Sequence, residues 1–347
     1  MAINIRPSIN IRPKASQYIM DPALQRAVET ALLFNQPLLL TGEPGTGKTQ
    51  LAYRVAYDLA KQTNDQDQDQ DQDQDQDQDQ DQDQDQDQNK GAVFNETPLR
   101  FNTKTTTSAR DLFYIYDAVG HFQSANIKRE AGAAGKATKD FIELQALGKA
   151  IALSNPQTSF AETFKWDEAT SSQSSVVLID EIDKAPRDFT NDLLNELERY
   201  EFFIKEQDNF QVKMDAENQQ RILVIMTSNS EKNLPDAFLR RCVFYHIPFP
   251  EGKKMRDILE SQLQNAIGDQ ERANLKDVQK LFNEIRQVAV RKKPATAELV
   301  SFVRALEMDG LLQEPKPKIK DWYLDNLSLL IKTNEDLKVV KDFLQKA

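Results

Sequence analysis

One cysteine, Cys242, and two histidines, His121 and His246, are all that 347 residues contain. That excludes a disulfide within one chain and a conventional zinc site, and it suits a reducing compartment. No uninterrupted apolar run approaches the ~20 residues that span a bilayer. Residues 1 to 20 are polar, with Arg6 and Arg12 and no apolar centre, unlike a secretory leader. The expectation is a soluble chain of the cytoplasm.

A charge field of one sign is missing too, despite a formal net charge of -11. Asp65 to Gln88 is an unbroken Asp-Gln alternation with twelve aspartates; with those set aside, 43 acidic residues face 44 basic ones, a net of +1. So nearly neutral a remainder argues against a broad nucleic-acid-binding surface. The tract itself has nothing apolar to bury and repels itself, so ordering it costs entropy without return. It is expected as a disordered surface insertion over 65–88, which a domain tolerates because loop-closure cost grows slowly with length. Composition leaves open whether it is a repeat expansion without function or a regulatory or cation-binding segment. Length and a hydrophobic content of 39% suit one large domain plus a smaller one.

What is present is a phosphate-binding pattern. Pro37, Leu38, Leu39 and Leu40 form an apolar run that leads into Gly42, Glu43, Pro44, Gly45, Thr46, Gly47, Lys48 and Thr49. Glycines let the backbone approach an anion, and the amides of the loop and of the next helix's first turn supply donors at a positive dipole end. Lys48 is placed to reach β- and γ-phosphates, and Thr49 to set its hydroxyl on Mg2+. Leu51, Ala52, Val55, Ala56 and Leu59 then keep the apolar spacing of a packed helix.

Two further apolar runs end in polar side chains. Val176 to Ile179 ends in Asp180 and Glu181, at the carboxyl edge where open α/β sheets bind ligands. Asp180 is placed to hold Mg2+, directly or in its second shell, and Glu181 to orient and polarise an attacking water. Ile222 to Met226 ends in Thr227, Ser228 and Asn229. Two readings of Asn229 stand: a side chain that fixes the water against the γ-phosphate, or an ordinary turn residue. Pro235 to Arg241 reads as a short helix ending in two guanidinium groups, Arg240 and Arg241, before a strand over 243–247. Such cations either serve the helix dipole or stabilise a transferring phosphoryl group across a subunit boundary.

In that order, GEPGTGKT, VVLIDEIDKAP, IMTSN and LPDAFLRRC resemble the core of an AAA+ ATPase, with details similar to the MoxR family, over roughly residues 20 to 310. The tract Asp180 to Glu198 and RDLFYIYDAVG at 110 to 120 share in the resemblance. It implies Walker A at 42–49, Walker B at Asp180 and Glu181, the first sensor at Asn229, and an arginine finger at Arg241 or Arg240, with Arg241 preferred. It also implies ATP and Mg2+ as ligands, a homo-oligomeric ring, a hexamer, and remodelling or maturation of a partner protein, often one with a von Willebrand A domain. One departure is visible: KKPATAEL at 292–299 sets Glu298 near the place of a second-sensor arginine. Arg291, Lys292 and Lys293 then either substitute for it or form a solvated helix approach. A nucleic-acid-linked or restriction-type NTPase motor uses the same core but calls for a basic or modular DNA-reading segment, and none is evident. A nucleotide-controlled binding module with little turnover is a third class, against which Lys48, Glu181 and Asn229 argue.

The expected fold is α/β, a P-loop NTPase core with a parallel sheet flanked by helices, plus a C-terminal all-helical lid. The nucleotide-binding domain is expected over 1–249 and the lid over 250–347, where Met255, Ile258, Leu259 and Leu263, then Leu275, Val278, Phe282 and Ile285, then Leu299, Phe302, Val303 and Leu306 keep helical spacing. Ala23 to Phe34 reads as a helix before the loop strand. Phe202 to Ile204 and Phe210 to Met214 read as a hairpin. Phe113, Tyr114, Tyr116 and Phe122 are either core or, in a ring, substrate-facing.

Overall fold

The computed structural model describes residues 14–73, 93–131, 137–154, 173–214, 221–230, 234–263, 267–314 and 322–346. They form two compact units, Asp21–Thr41 with Leu51–His246, and Met1–Met20 with Gly42–Gln50 and Ile247–Ala347.

The first unit is built on five strands: β1 (Leu38–Thr41), β2 (Leu99–Asn102), β5 (Ser175–Asp180), β8 (Ile222–Thr227) and β9 (Val243–His246), ordered β2-β5-β8-β1-β9. Every pairing is parallel, so Thr41, Asn102, Asp180, Thr227 and His246 all end at one edge. The expected parallel sheet is present, and its register follows from burial. The central strands are wholly buried, as continuous apolar runs must be when helices cover both faces.

Helix α1 (Pro22–Phe34) starts where Asp21 Oδ1 accepts from the Leu24 amide at 2.9 Å, with Pro22 at the first helical position. Its Leu24, Val28 and Ala31 are buried, as their spacing predicts. The Tyr245 hydroxyl also donates to Asp21, and burial with that bond pushes the phenol up to about 12. Helix α2 (Lys48–Asp73) continues into the Asp-Gln tract; the rest of the tract, 74–88, lies outside the described residues.

Two antiparallel pairs complete this unit. One is β3 (Tyr114–Tyr116) with β4 (Ile142–Leu144), which flank helix α3 (Ala118–Ala131). The other is the expected hairpin, β6 (Glu201–Ile204) with β7 (Phe210–Lys213), which turns through Asp208 and Asn209 at positive φ. The aromatic group divides between its two readings. Phe113 and Tyr114 are buried, and Phe113 stacks on Phe202 at 5.0 Å, whereas Phe122 on α3 is 70% exposed. Helix α4 (Ala146–Ser154) is almost wholly buried beside β2 and β5.

In the second unit, helices α7 (Gly252–Gln262), α8 (Asp269–Val288), α9 (Thr296–Met308) and α10 (Asn334–Lys346) enclose a core of Met255, Leu259, Phe282, Phe302 and Val340. The lid periodicities are therefore real packing faces. The turn between α8 and α9 is fixed by Asp336, 3% exposed, whose carboxylate accepts from the amides of Val290, Arg291 and Lys292 at 2.9, 3.1 and 2.9 Å. Burial pushes this carboxyl up, but bonds from the Arg291 amide, the Thr333 hydroxyl and the Lys292 and Val290 amides outweigh it and hold it down at about 2. A depressed carboxyl stabilises the fold above its unfolded value and loses that contribution as pH falls through the folded one. Asp336→Asn is expected to lower the melting temperature by roughly 5 °C at neutral pH. Melting scans should show that deficit unchanged down to pH ~4 and shrinking towards pH ~2.

Candidate functional site

The glycine loop closes on its own lysine. Lys48, 7% exposed, donates from Nζ to the Gly42 carbonyl at 2.8 Å and to the Glu43 carbonyl at 3.0 Å. The Glu43 carbonyl also accepts from the Thr46 hydroxyl at 2.9 Å. An ammonium held over backbone oxygens in a tight bend is ready to exchange those weak acceptors for phosphate oxygens. Two glycines are obligatory here. Gly45 sits at φ +77°, and a Cβ on it would stand 2.9 Å from Ala295 Cβ and 3.3 Å from Ala297 Cβ. Gly47 sits at φ +90°, where a Cβ would meet the Tyr18 ring at 3.0 Å. Pro44, just before Gly45, is exposed, and Thr49 follows Lys48 in the first turn of α2.

At the end of β5, in the other unit, the Asp180 carboxylate is 6% exposed and held from two sides. The Thr227 hydroxyl donates to Oδ1 at 2.6 Å, and Arg100 donates from Nη2 to Oδ2 at 2.7 Å. Thr227 also accepts from the Glu181 amide at 2.9 Å, so one hydroxyl orients both acidic residues. A carboxylate oxygen has more than one lone-pair direction, and a cation or its water shell is a suitable partner for it. Hard oxygen donors of this kind fit magnesium. Magnesium is ordinarily held by one or two protein oxygens together with phosphates, not by an all-protein cage.

Glu181 departs from regular backbone: its φ of 58° lies in the left-handed region, which costs a non-glycine residue about 1 kcal/mol. The carboxylate is half-exposed and ion-paired to Lys184, whose own pKa that bond raises. Asn229 is exposed, and its amide donates to Asp183 Oδ1 at 3.2 Å, fixing the backbone after β8. Helix α6 (Asp236–Leu239) is one turn long, and Arg240 and Arg241 just beyond it are both exposed. Arg241 lies 3.5 Å from Glu198 at the end of helix α5 (Arg187–Arg199), a loose pair between two exposed chains. The Cys242 thiol next to it donates to the Phe238 carbonyl, and burial pushes it up to about 12, so it is no nucleophile.

Arg100, Lys184 and Arg286 hold these carboxylates or the loop, and the sequence reading assigns a role to none of them. Arg100 stands on β2, two residues before the Asn102 to Asp180 match, and only the strand pairing brings it to Asp180. Glu298, at the place of a second-sensor arginine, accepts from the Ala295 amide at 3.1 Å and so caps α9. Arg291 is turned to Glu335 at 2.6 Å.

Residues 130–250 match the family described as ATPase family associated with various cellular activities (AAA). That stretch, about a third of the chain, contains Asp180, Glu181, Asn229, Arg240 and Arg241. The architecture is a parallel sheet flanked by helices, with a helical C-terminal portion. Among solved structures, the crystal structure of the FIGL-1 AAA domain in complex with ADP aligns at 16% identity and a TM-score of 0.40, covering 98% of this chain and 92% of that one. No curated protein matches the chain. Among the described residues no helix is long and apolar enough to cross a membrane.

Proposed function

We propose that the chain is a MoxR-type AAA+ ATPase that binds Mg·ATP and hydrolyses it to ADP and phosphate. One observation carries the reading. The strand that continues into the glycine loop and the strand that ends in Asp180 and Glu181 are parallel members of one sheet, with β8 alone between them. The amides of 42–49 and the Lys48 ammonium take the phosphates, and Thr49 with Asp180 would hold magnesium, which would supply neutralisation of the phosphate charge. Glu181 accepts a proton from water as that water attacks the γ-phosphorus, while the Asn229 side chain orients it. The bond from the γ-phosphorus to the bridging oxygen breaks, and ADP leaves with that electron pair. The ion pair with Lys184 must open for Glu181 to take this part.

The reading extends to a cytoplasmic homo-oligomeric ring, in which a hexamer places Arg241 of one subunit at its neighbour's nucleotide. Exposure of both arginines and the looseness of the Glu198 pair support a role beyond their own subunit. The division of labour falls near residue 249, with nucleotide chemistry before it and a lid after it. The task is remodelling or maturation of a partner protein, with a von Willebrand A domain protein the first candidate. Phe122, exposed on α3, and Phe203, exposed on the β6–β7 hairpin, are apolar contacts available for it.

Phosphate release measured across a range of protein concentrations tests the reading. Wild type should turn over faster per chain as concentration rises, and Arg241→Ala should bind Mg·ATP normally while losing about a hundredfold or more of that assembly-dependent rate. A larger loss for Arg240→Ala would move the finger by one residue.

A further inference from the structure

Arg286, on the last turn of α8, is 14% exposed, and its guanidinium makes three kinds of contact. Its plane lies over the Phe249 ring with Cζ 3.7 Å from the centroid, and Nη1 donates to the Pro294 carbonyl. Nη2 donates to Glu43 Oε2 at 3.0 Å, inside the glycine loop. Exposed ion pairs contribute little because two long side chains must be ordered to make them. Here the ring and the carbonyl have already ordered the arginine, so Glu43 meets a fixed partner.

Glu43 is the residue on which the loop turns. Its carbonyl accepts from Lys48 Nζ at 3.0 Å and from the Thr46 hydroxyl at 2.9 Å, while its carboxylate is the group that Arg286 grips. A continuous set of bonds thus runs from helix α8 through Glu43 to the ammonium meant for the phosphates. The start of α9 touches the same loop, with Ala295 and Ala297 closing over Gly45.

We infer that Arg286 is a positioning residue which, through Glu43, fixes the loop carbonyls that hold Lys48, and so ties the placement of α8 to phosphate affinity. This rests on the ATP reading for its consequence but not for its geometry. Removing the guanidinium frees the Glu43 carboxylate, loosens the carbonyl beneath Lys48 and leaves the loop to be ordered by the ligand at the ligand's expense. Lysine is a poor replacement, since it has neither the planar fork nor the stacking face.

Two measurements on the full chain separate this from a merely structural role. Without nucleotide, amide hydrogen exchange over residues 42–50 should quicken about tenfold in Arg286→Ala and in Glu43→Ala. In Val340→Ala, which removes lid core volume away from the loop, it should stay within about twofold of wild type. By calorimetry, Mg·ATP should bind about tenfold more weakly to Arg286→Ala and to Arg286→Lys, and Glu43→Ala with Arg286→Ala together should be no worse than either alone. Unchanged loop exchange in Arg286→Ala overturns the inference, and so do losses that multiply in the double variant. Faster loop exchange in a chain whose wild type takes up no Mg·ATP would uphold the positioning and overturn the ATP reading.

Discussion

Lys48→Ala is expected to weaken Mg·ATP binding by about a hundredfold or more, beyond what calorimetry at ordinary protein concentration detects. The ammonium is seated within the glycine loop, where it donates to two backbone carbonyls. Those carbonyls can turn to water when the side chain is cut, so the loss falls on the ligand and not on the fold. Charge-assisted bonds to phosphate oxygens are roughly twice as strong as neutral ones, and the amides left behind cannot replace a full charge. Melting of the variant should therefore stay within a few degrees of wild type. A Lys48→Ala chain that binds Mg·ATP as tightly as wild type would remove the loop from the account.

Glu181→Gln should do the opposite: binding stays and turnover falls by roughly a hundred- to a thousandfold. Glutamine keeps the length and the left-handed backbone at φ 58°, and its amide still donates to Thr227, so the geometry around Asp180 survives. What it loses is the lone pair basic enough to take a proton. The ion pair with Lys184 goes as well, which returns that ammonium towards its ordinary pKa without bearing on a bound phosphate. Single-turnover hydrolysis from a preformed complex measures the chemical step apart from binding. Hydrolysis at the wild-type rate would reassign Glu181 to a structural part.

The strands and the loop were legible because each is a long departure from average composition. Leu38 to Leu40, Val176 to Ile179 and Ile222 to Met226 are apolar without interruption, which only a strand covered on both faces tolerates. Lid helices were legible from spacing: Leu275, Val278, Phe282 and Ile285 are all buried on one side of α8. The partners of the polar groups were not. Arg100 and Asp180 are eighty residues apart, and nothing local to either marks the bond between them. Arg286 and Glu43 are further apart still, and Glu298 reads as a misplaced sensor until its carboxylate is seen capping α9. Aromatic residues show the same limit. Phe113 and Phe122 lie in one short stretch, yet one is buried against Phe202 and the other exposed on α3, because burial depends on a hairpin ninety residues away.

Phosphate release from Mg·ATP by the wild-type chain is the most direct test of the central claim that the loop at 42–49 captures a triphosphate which Asp180 and Glu181 help to cleave. Steady release that stops when magnesium is chelated is the expected result. Release no faster than from buffer alone, at protein concentrations high enough for rings to form, would contradict it.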